Sequence, residues 1–262
     1  MPFEVWEIVL ICFAGLWAGM INTIVGSGTL VTFPVLVSLG VPPVTATMSN
    51  AMGLIAGNIT GAWAYRSELG HTKSTLVKLL PASVLGGVIG AALLTRLPES
   101  VFGVAAPFFI VISLIFVVTQ PRLQNIVRQR KQAAGIESVA DSQPAVLYLL
   151  VFIAGIYGGY FVAAQGVLLL GILGVFMLAS LQAANAVKNA LVAAVNMVAA
   201  VFYMLTAFDR ISWWVVLFIA LSSMVGSWMG AKIGRRMSPV VLRTVIVLLG
   251  LVALFNMIRQ LL

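Results

Sequence analysis

Long apolar runs alternate with short polar segments along almost the whole chain. The long runs cover residues 5–25, 43–65, 74–95, 101–119, 145–164, 183–206, 212–231 and 240–261, and two short ones cover 29–40 and 167–180. A helix needs about twenty apolar residues to cross the hydrocarbon of a bilayer. The pattern therefore predicts long transmembrane helices and two short apolar helices, which at about 1.5 Å per residue reach only part of the way across.

Composition favours helices over a soluble fold or a membrane β-barrel. Apolar residues make up 61% of the 262 positions and charged residues only 8%, whereas about a quarter of the residues in a soluble domain are charged. Barrel strands are about ten residues long and alternate apolar with polar side chains, which these runs do not. The sequence predicts an all-α integral membrane protein that passes several times through the cell (inner) membrane, with membrane lipid as a partner.

The two halves of the chain resemble each other at a separation of 140 residues. The matching glycines are Gly15 with Gly155, Gly19 with Gly159, Gly26 with Gly166, Gly86 with Gly226, and Gly90 with Gly230. Their small-xxx-small spacing permits close helix packing, and internal repeats are typical of transporter folds. We expect a first transmembrane repeat at 1–119, a polar cytoplasmic linker at 120–144 and a second repeat at 145–262.

The distribution of Lys and Arg distinguishes two topologies. If the two short runs also cross, giving ten crossings, eleven basic residues lie on the cytoplasmic side and three on the other. If the short runs are re-entrant, giving eight crossings, the split is nine against five. Because cytoplasmic loops carry an excess of Lys and Arg, ten crossings are favoured. Five crossings per half make the two repeats inverted, with both termini outside.

Acidic residues are absent from the middle of every predicted span. Proton relays and cation sites in membranes usually depend on carboxylates or histidines, and metal sites need ligands at set spacing. We therefore expect no metal site, no cofactor and no catalytic residues, and the protein is not expected to be an enzyme. The net charge of +8 fits basic cytoplasmic loops, so nucleic acid is not expected as a partner.

Neutral polar residues and one lysine do occur within the predicted spans, and they cluster where the first long helix of each half breaks. Glycine interrupts a helix because it is flexible and exposes backbone. A break leaves N–H groups at the start of the next short helix, and these favour an anion. The candidate substrate-binding residues are Asn22, Gly26, Ser27, Gly28, Thr29, Ser49, Asn50, Gln165, Gly166, Asn185, Lys188 and Asn189.

Several of these candidates also have a purely structural explanation. Lys188 is the only charge predicted within a span, and it could lie near a helix end and extend to the membrane surface. Its partner could otherwise be a helix C-terminus, a carbonyl cluster or a bound anion. Asn50 and Asn189 could form interhelical hydrogen bonds, and Ser27 and Thr29 could cap a helix beside a kink.

At these residues the sequence resembles the TauE/SafE family of sulfite exporters. The first half, AGLWAGMINTIVGSGTLVTFPVLVSLGVPPVTATMSNAMGL, is similar to the family pattern of a Gly-rich break, a proline-containing apolar run, a Leu-Gly-Val-Pro turn and a Ser-Asn helix start. The second half repeats it as AGIYGGYFVAAQGVLLLGILGVF and ANAVKNAL, with Gln165-Gly166 in place of a glycine run. The resemblance implies a carrier of small sulfur-containing anions, namely sulfite, thiosulfate or organosulfonates.

The resulting hypothesis is a membrane transporter that exports sulfite, a related sulfur oxoanion or an organosulfonate by alternating access of its two halves. The alternatives are a non-transporting membrane assembly subunit and, less favoured, a membrane-embedded enzyme. The sequence leaves open the exact substrate, the direction, a coupling ion (H⁺ or Na⁺) and assembly into a homo-oligomer.

Overall fold

Helices joined by short turns make up the described chain. A computed structural model describes residues 3–134, 144–177, 181–233 and scattered positions between 244 and 259, and no strand occurs among them. The helices are α1 (Val5–Ile24), α2 (Thr29–Ser38), α3 (Pro43–Ala64), α4 (Arg66–His71), α5 (Lys73–Arg96), α6 (Glu99–Ala134), α7 (Ala145–Tyr160), α8 (Gln165–Phe176), α9 (Leu181–Thr206) and α10 (Trp213–Ile233). The prediction of an all-α fold is confirmed.

Five of the described helices are long and apolar enough to cross a membrane. They cover Val5–Ile24, Lys73–Arg96, Glu99–Thr119, Gln182–Thr206 and Trp213–Lys232. The shorter apolar helices are Thr29–Ser38, Ala145–Tyr160 and Gln165–Phe176. Large apolar side chains such as Val104, Phe108 and Ile115 are exposed on one face of α6, as expected for a surface in contact with lipid. The chain is a multi-pass membrane protein.

Helix α6 is longer than the apolar run that predicted it. It continues to Ala134, through the first part of the stretch interpreted as a linker. Gln, Arg, Lys and Ala have high helix propensity, so the change to polar residues does not end the helix. The described side chains of this extension, Arg122, Asn125 and Gln129, are exposed. The rest of the predicted linker, 135–143, lies outside the described residues.

Glycines allow the two halves to pack closely against each other. Gly226 of α10 lies against the backbone of Leu16 in α1, and Gly230, one turn later, lies against Met20. Helix α5 of the first half packs on α7 of the second half in the corresponding way. Small residues permit such close approach in membranes, so the small-xxx-small spacings are confirmed as helix-packing positions. The order of these contacts also shows that α1 and α10 run parallel.

Helix α3 runs parallel to α10 as well. Gly53 lies against Ile219, and Gly57, one turn later, lies against Ser223. Because α1 and α3 both run parallel to α10, the chain must return between them, and the short helix α2 is the returning segment. Its ten residues cover about 15 Å as a helix, which is about half of the hydrocarbon thickness.

Helices α3 and α9, which correspond to each other in the two halves, run in opposite directions. Gly61, near the end of α3, lies beside the Asn189 side chain near the start of α9. At the other end, Ser49 accepts a hydrogen bond (2.9 Å) from the backbone N–H of Ser212, which follows α9. This antiparallel arrangement is the relation that the predicted inverted repeat requires.

An ion pair connects the loop after α5 to the loop after α9. Arg210 Nη1 lies 3.7 Å from Glu99 Oε1, so both loops lie on the same side of the molecule. Ten crossings place these loops on one side of the membrane, whereas the eight-crossing alternative places them on opposite sides. The structure therefore disagrees with the eight-crossing topology.

Candidate functional site

The first half breaks where the sequence predicted, at residues 25–28 between α1 and α2. Gly26 has a φ of +96°, in a region that glycine adopts without steric cost. The Asn22 side chain stabilises the break, because its Oδ1 accepts a hydrogen bond (3.4 Å) from the Gly28 N–H. Its Nδ2 donates to Asn58 Oδ1 (2.5 Å) on α3, so the break is tied to the neighbouring helix. The N–H of Gly28, which the sequence assigned to an anion, is thus used within the protein.

The second half breaks earlier than predicted, at residues 161–164. We expected the preceding helix to reach residue 164 and the break to lie at Gln165-Gly166, but these residues begin α8. Val162 (φ +67°) and Ala164 (φ +58°) adopt left-handed conformations, which cost about 1–2 kcal/mol per non-glycine residue. Because no glycine or proline lies at 161–164, the pattern of turn-forming residues could not locate this break.

Aromatic packing stabilises the strained second break. The Phe161 ring stacks on Phe109 of α6 with centroids 5.4 Å apart, and it meets Phe33 of α2 edge to face at 5.7 Å. The Ser113 hydroxyl of α6 also donates to the carbonyl of Ala163 (3.4 Å). Two helices of the first half therefore maintain a backbone conformation in the second half that the local sequence would not favour.

The two breaks touch each other through their glycines. A Cβ added to Gly26 would lie 2.5 Å from the carbonyl carbon of Gly166, and one added to Gly166 would lie 2.6 Å from the Gly26 Cα. No side chain larger than hydrogen fits at either position while the backbones stay in place. The structure thus brings the candidate residues of the first break and those at the start of α8 into one region.

Lys188 lies in this region and does not extend to the membrane surface. Its side chain is 1% exposed, and its ammonium donates to the carbonyls of Asn22 (2.9 Å) and Thr23 (3.5 Å). These carbonyls end α1, where the helix dipole favours a cation. Of the alternatives left open by the sequence, the surface position is wrong and the helix C-terminus is a partner. An ammonium has three donors, so it can also bind a further acceptor.

Some candidate side chains form hydrogen bonds within the protein. The Asn50 Oδ1 accepts from the Thr32 hydroxyl (2.5 Å), and its Nδ2 donates to the Thr29 hydroxyl (3.1 Å). Ser49 accepts from the backbone of Ser212 (2.9 Å). Asn50 therefore links α2 to α3, and Ser49 anchors the turn before α10. The Asn50 contacts match the interhelical hydrogen bonding that the sequence left open.

Other candidate side chains are buried and have no hydrogen-bond partner among the described residues. They include the Ser27 hydroxyl, both amide atoms of Gln165, the Asn185 Oδ1 and the Asn189 Nδ2. A buried polar group without a partner costs roughly 1–3 kcal/mol. Ser27 and Gln165 directly neighbour the touching glycines in the sequence, and Asn189 follows Lys188. Hydrogen-bonding capacity is thus concentrated where the two halves meet.

Two contributors were not among the candidates from the sequence. Asn58 pairs with Asn22, and Gly158 leaves room for the amide of Gln165, which a Cβ at that position would overlap. The polarity of Asn58 and the Gly158-Gly159 doublet are visible in the sequence. Their partners are not, because both contacts depend on how the helices pack.

The local charge favours an anion. The acidic residues that the structure describes are Glu4, Glu7, Glu68, Glu99 and Asp209, and none of them is buried. Within the described residues, no group of three or more His, Cys, Asp or Glu side chains could hold a metal ion. The buried ammonium of Lys188 is therefore balanced by carbonyl dipoles, and no described carboxylate lies beside it.

Comparison with known proteins gives a consistent result. A family model described as "Sulfite exporter TauE/SafE" matches residues 11–257. A "Probable membrane transporter protein ORF9" of Sinorhizobium sp is 24% identical over 84% of this chain and 78% of its own length. A "Probable membrane transporter protein" of Haemophilus influenzae is 22% identical over 95% of this chain and 93% of its own length.

Proposed function

Because the chain belongs to the sulfite exporter TauE/SafE family of membrane transporters, we propose that it exports sulfite, a related sulfur oxoanion or an organosulfonate across the inner membrane. The observation that carries this proposal is the buried ammonium of Lys188 beside the contact between the two helix breaks. An isolated buried charge is costly, and an anion would neutralise it. Hydroxyl and amide groups nearby would donate to the oxygens of the anion.

The position of this region between the halves supports the proposal of alternating access. The breaks meet through backbone, at Gly26 and Gly166, and Lys188 of the second half holds the end of α1 in the first. Movement of one half against the other would change both contacts and would expose the bound anion to each side in turn. Binding of an anion to Lys188 would compete with the carbonyls and favour this movement.

The decisive experiment is transport by the purified full chain in proteoliposomes. Sulfite, thiosulfate and an alkanesulfonate are loaded separately, and flux is measured with and without imposed H⁺ and Na⁺ gradients. The wild-type protein is expected to carry at least one of these anions. No flux of any of them, in correctly folded protein, would rule out the proposed function.

Replacement of Lys188 tests the site separately. Lys188→Met keeps the length of the side chain and removes the charge, and we expect about a tenfold or larger loss of flux because a hydrogen bond to a charged group is lost. Lys232→Met is the matched control, since Lys232 is exposed and lies over the Trp228 ring (3.8 Å). Equal flux in the two variants would show that Lys188 is not part of the substrate site. It would not contradict the transport function.

A further inference from the structure

Asn196 of α9 is a buried amide that the proposed site does not yet include. It is 0% exposed, and neither its Oδ1 nor its Nδ2 has a hydrogen-bond partner among the described residues. Exchanging the two atoms by an amide flip would not change this, because both ends are unpartnered. The Asn50 amide is equally buried but is satisfied at both ends by threonines of α2. Asn196 therefore lacks the contacts that explain a structural asparagine.

The position of Asn196 on α9 relates it to both breaks. Asn189, Asn196 and Tyr203 follow each other at intervals of seven residues, close to two helical turns, so they share one face of the helix. Asn189 lies beside Gly61 at the end of α3. The Tyr203 hydroxyl donates to the carbonyl of Gly159 (2.8 Å), near the end of α7.

This face of α9 thus extends from the region where the first half breaks to the region where the second half breaks. The next residue to Asn189 in the chain, Lys188, binds the end of α1, and α7 ends immediately before the second break. Asn196 lies midway, roughly 10 Å along the helix axis from Asn189 and from Tyr203. Its unpartnered amide is therefore level with the region between the two breaks.

We propose that Asn196 is a substrate-binding residue whose side-chain N–H donates to an oxygen of the transported oxoanion once movement of the halves separates the two breaks. This inference rests on the proposed function. The second N–H of the same amide can donate to another oxygen of the anion, while Lys188 supplies the charge. The unsatisfied amide lowers the stability of the substrate-free protein, and its N–H groups form hydrogen bonds when the substrate binds.

The test combines transport with unfolding of the purified protein in detergent. Asn196→Leu replaces the amide by an apolar group of similar size, which removes an unsatisfied buried group and also the contact with the substrate. We expect the apparent affinity for sulfite or thiosulfate to fall about 10-fold to 100-fold, as for a lost hydrogen bond to a charged group. The Tm without substrate should rise by roughly 2–4 °C. Asn50→Leu is the matched control for stability, and its Tm should fall.

The outcomes separate this inference from the proposed function. Wild-type transport together with unchanged affinity in Asn196→Leu would overturn the role of Asn196 alone. A fall in Tm as large as that of Asn50→Leu would also overturn it, because it would show a structural hydrogen bond. No transport by the wild type would overturn the function and this inference together. If Asn196→Leu does not fold, Asn196→Ser, which keeps one donor, is expected to show a smaller loss of affinity, and wild-type affinity in it would count against the proposal.

Discussion

Buried polar residues in this protein differ in whether their side chains form hydrogen bonds with other residues of the protein. The amide of Asn50 is bonded at both ends to α2, whereas Ser27 and the Gln165 amide have no partner among the described residues. A buried unsatisfied group lowers stability, so residues of the second kind are the better candidates for contact with a ligand. Residue type alone cannot make this distinction, because both kinds are ordinary neutral polar residues.

The strain at the second break can be measured at one residue. Ala164 and Ala163 are adjacent buried alanines, but only Ala164 has a positive φ. Both glycine substitutions remove one methyl group and add the same flexibility to the unfolded chain. Ala164→Gly also relieves strain, so we expect this variant to be about 1–2 kcal/mol more stable than Ala163→Gly. Chemical unfolding in detergent measures the difference, and equal stabilities would show that the φ of Ala164 is not strained.

Pairs of parallel helices, α1 with α10 and α5 with α7, are the tightly packed elements of the fold. Each pair joins one half of the chain to the other through glycines spaced one turn apart. The short helices α2 and α8 follow the breaks and are each about half as long as a spanning helix. The fold therefore combines closely packed long helices with two short helices that each follow a break.

The close packing of α5 on α7 gives a prediction at the scale of this helix pair. A Cβ at Gly90 would overlap the carbonyl oxygen of Ile156 and lie 2.7 Å from the backbone nitrogen of Tyr160. We expect Gly90→Ala to lower the free energy of unfolding by about 1–3 kcal/mol, as overpacking does. Gly103 of α6 is the control, because a Cβ there meets no atom within 4 Å.

In the control, Gly103→Ala should stabilise the helix by about 0.5–1 kcal/mol, because alanine restricts the unfolded chain more than glycine does. Both variants are compared by chemical unfolding in detergent. If both substitutions changed stability in the same direction and by the same amount, the close approach at Gly90 would not be the cause.

At the scale of the whole molecule, helices of one half pack against helices of the other half. Helices α1 and α3 of the first half pack on α10 of the second, and α5 packs on α7 and α9 of the second. The sequence repeat therefore does not correspond to two separately packed units. A core of this kind places the two breaks next to each other, at the contact of Gly26 with Gly166.

The topology can be tested by cysteine labelling of the whole protein in cells. In a Cys12→Ala background, cysteines at Glu99 and Arg210 should be labelled by an impermeant reagent from the same side, because these residues form an ion pair. A cysteine at Lys73, the exposed first residue of α5, should be labelled only from the other side. Labelling of positions 99 and 210 from opposite sides would support eight crossings and would contradict the arrangement described above.

Several features follow from the sequence without the structure. Apolar run lengths located most of the described helix boundaries to within a few residues, since a helix in lipid must satisfy its own backbone and must be long enough to cross. The last predicted run, 240–261, lies largely outside the described residues. The Gly26-Ser27-Gly28 break was also predictable, because glycine marks a position where a helix ends. The polar extension of α6 was not predictable from the apolar run, because charged residues with high helix propensity continue the helix beyond it. The second break was not predictable either, because tertiary contacts impose its backbone conformation.

The sequence by itself determined the membrane class, and it predicted the duplication and the region of the candidate site, because these depend on hydrophobicity, spacing and residue type along one chain. Only the tertiary structure decided that Lys188 binds the end of α1, that Asn50 is satisfied by α2 and that Asn196 is not. Hydrogen bonds between residues far apart in the chain depend on helix directions and contacts. Local composition does not determine those directions. The sequence therefore identified the polar residues but not their hydrogen-bond partners.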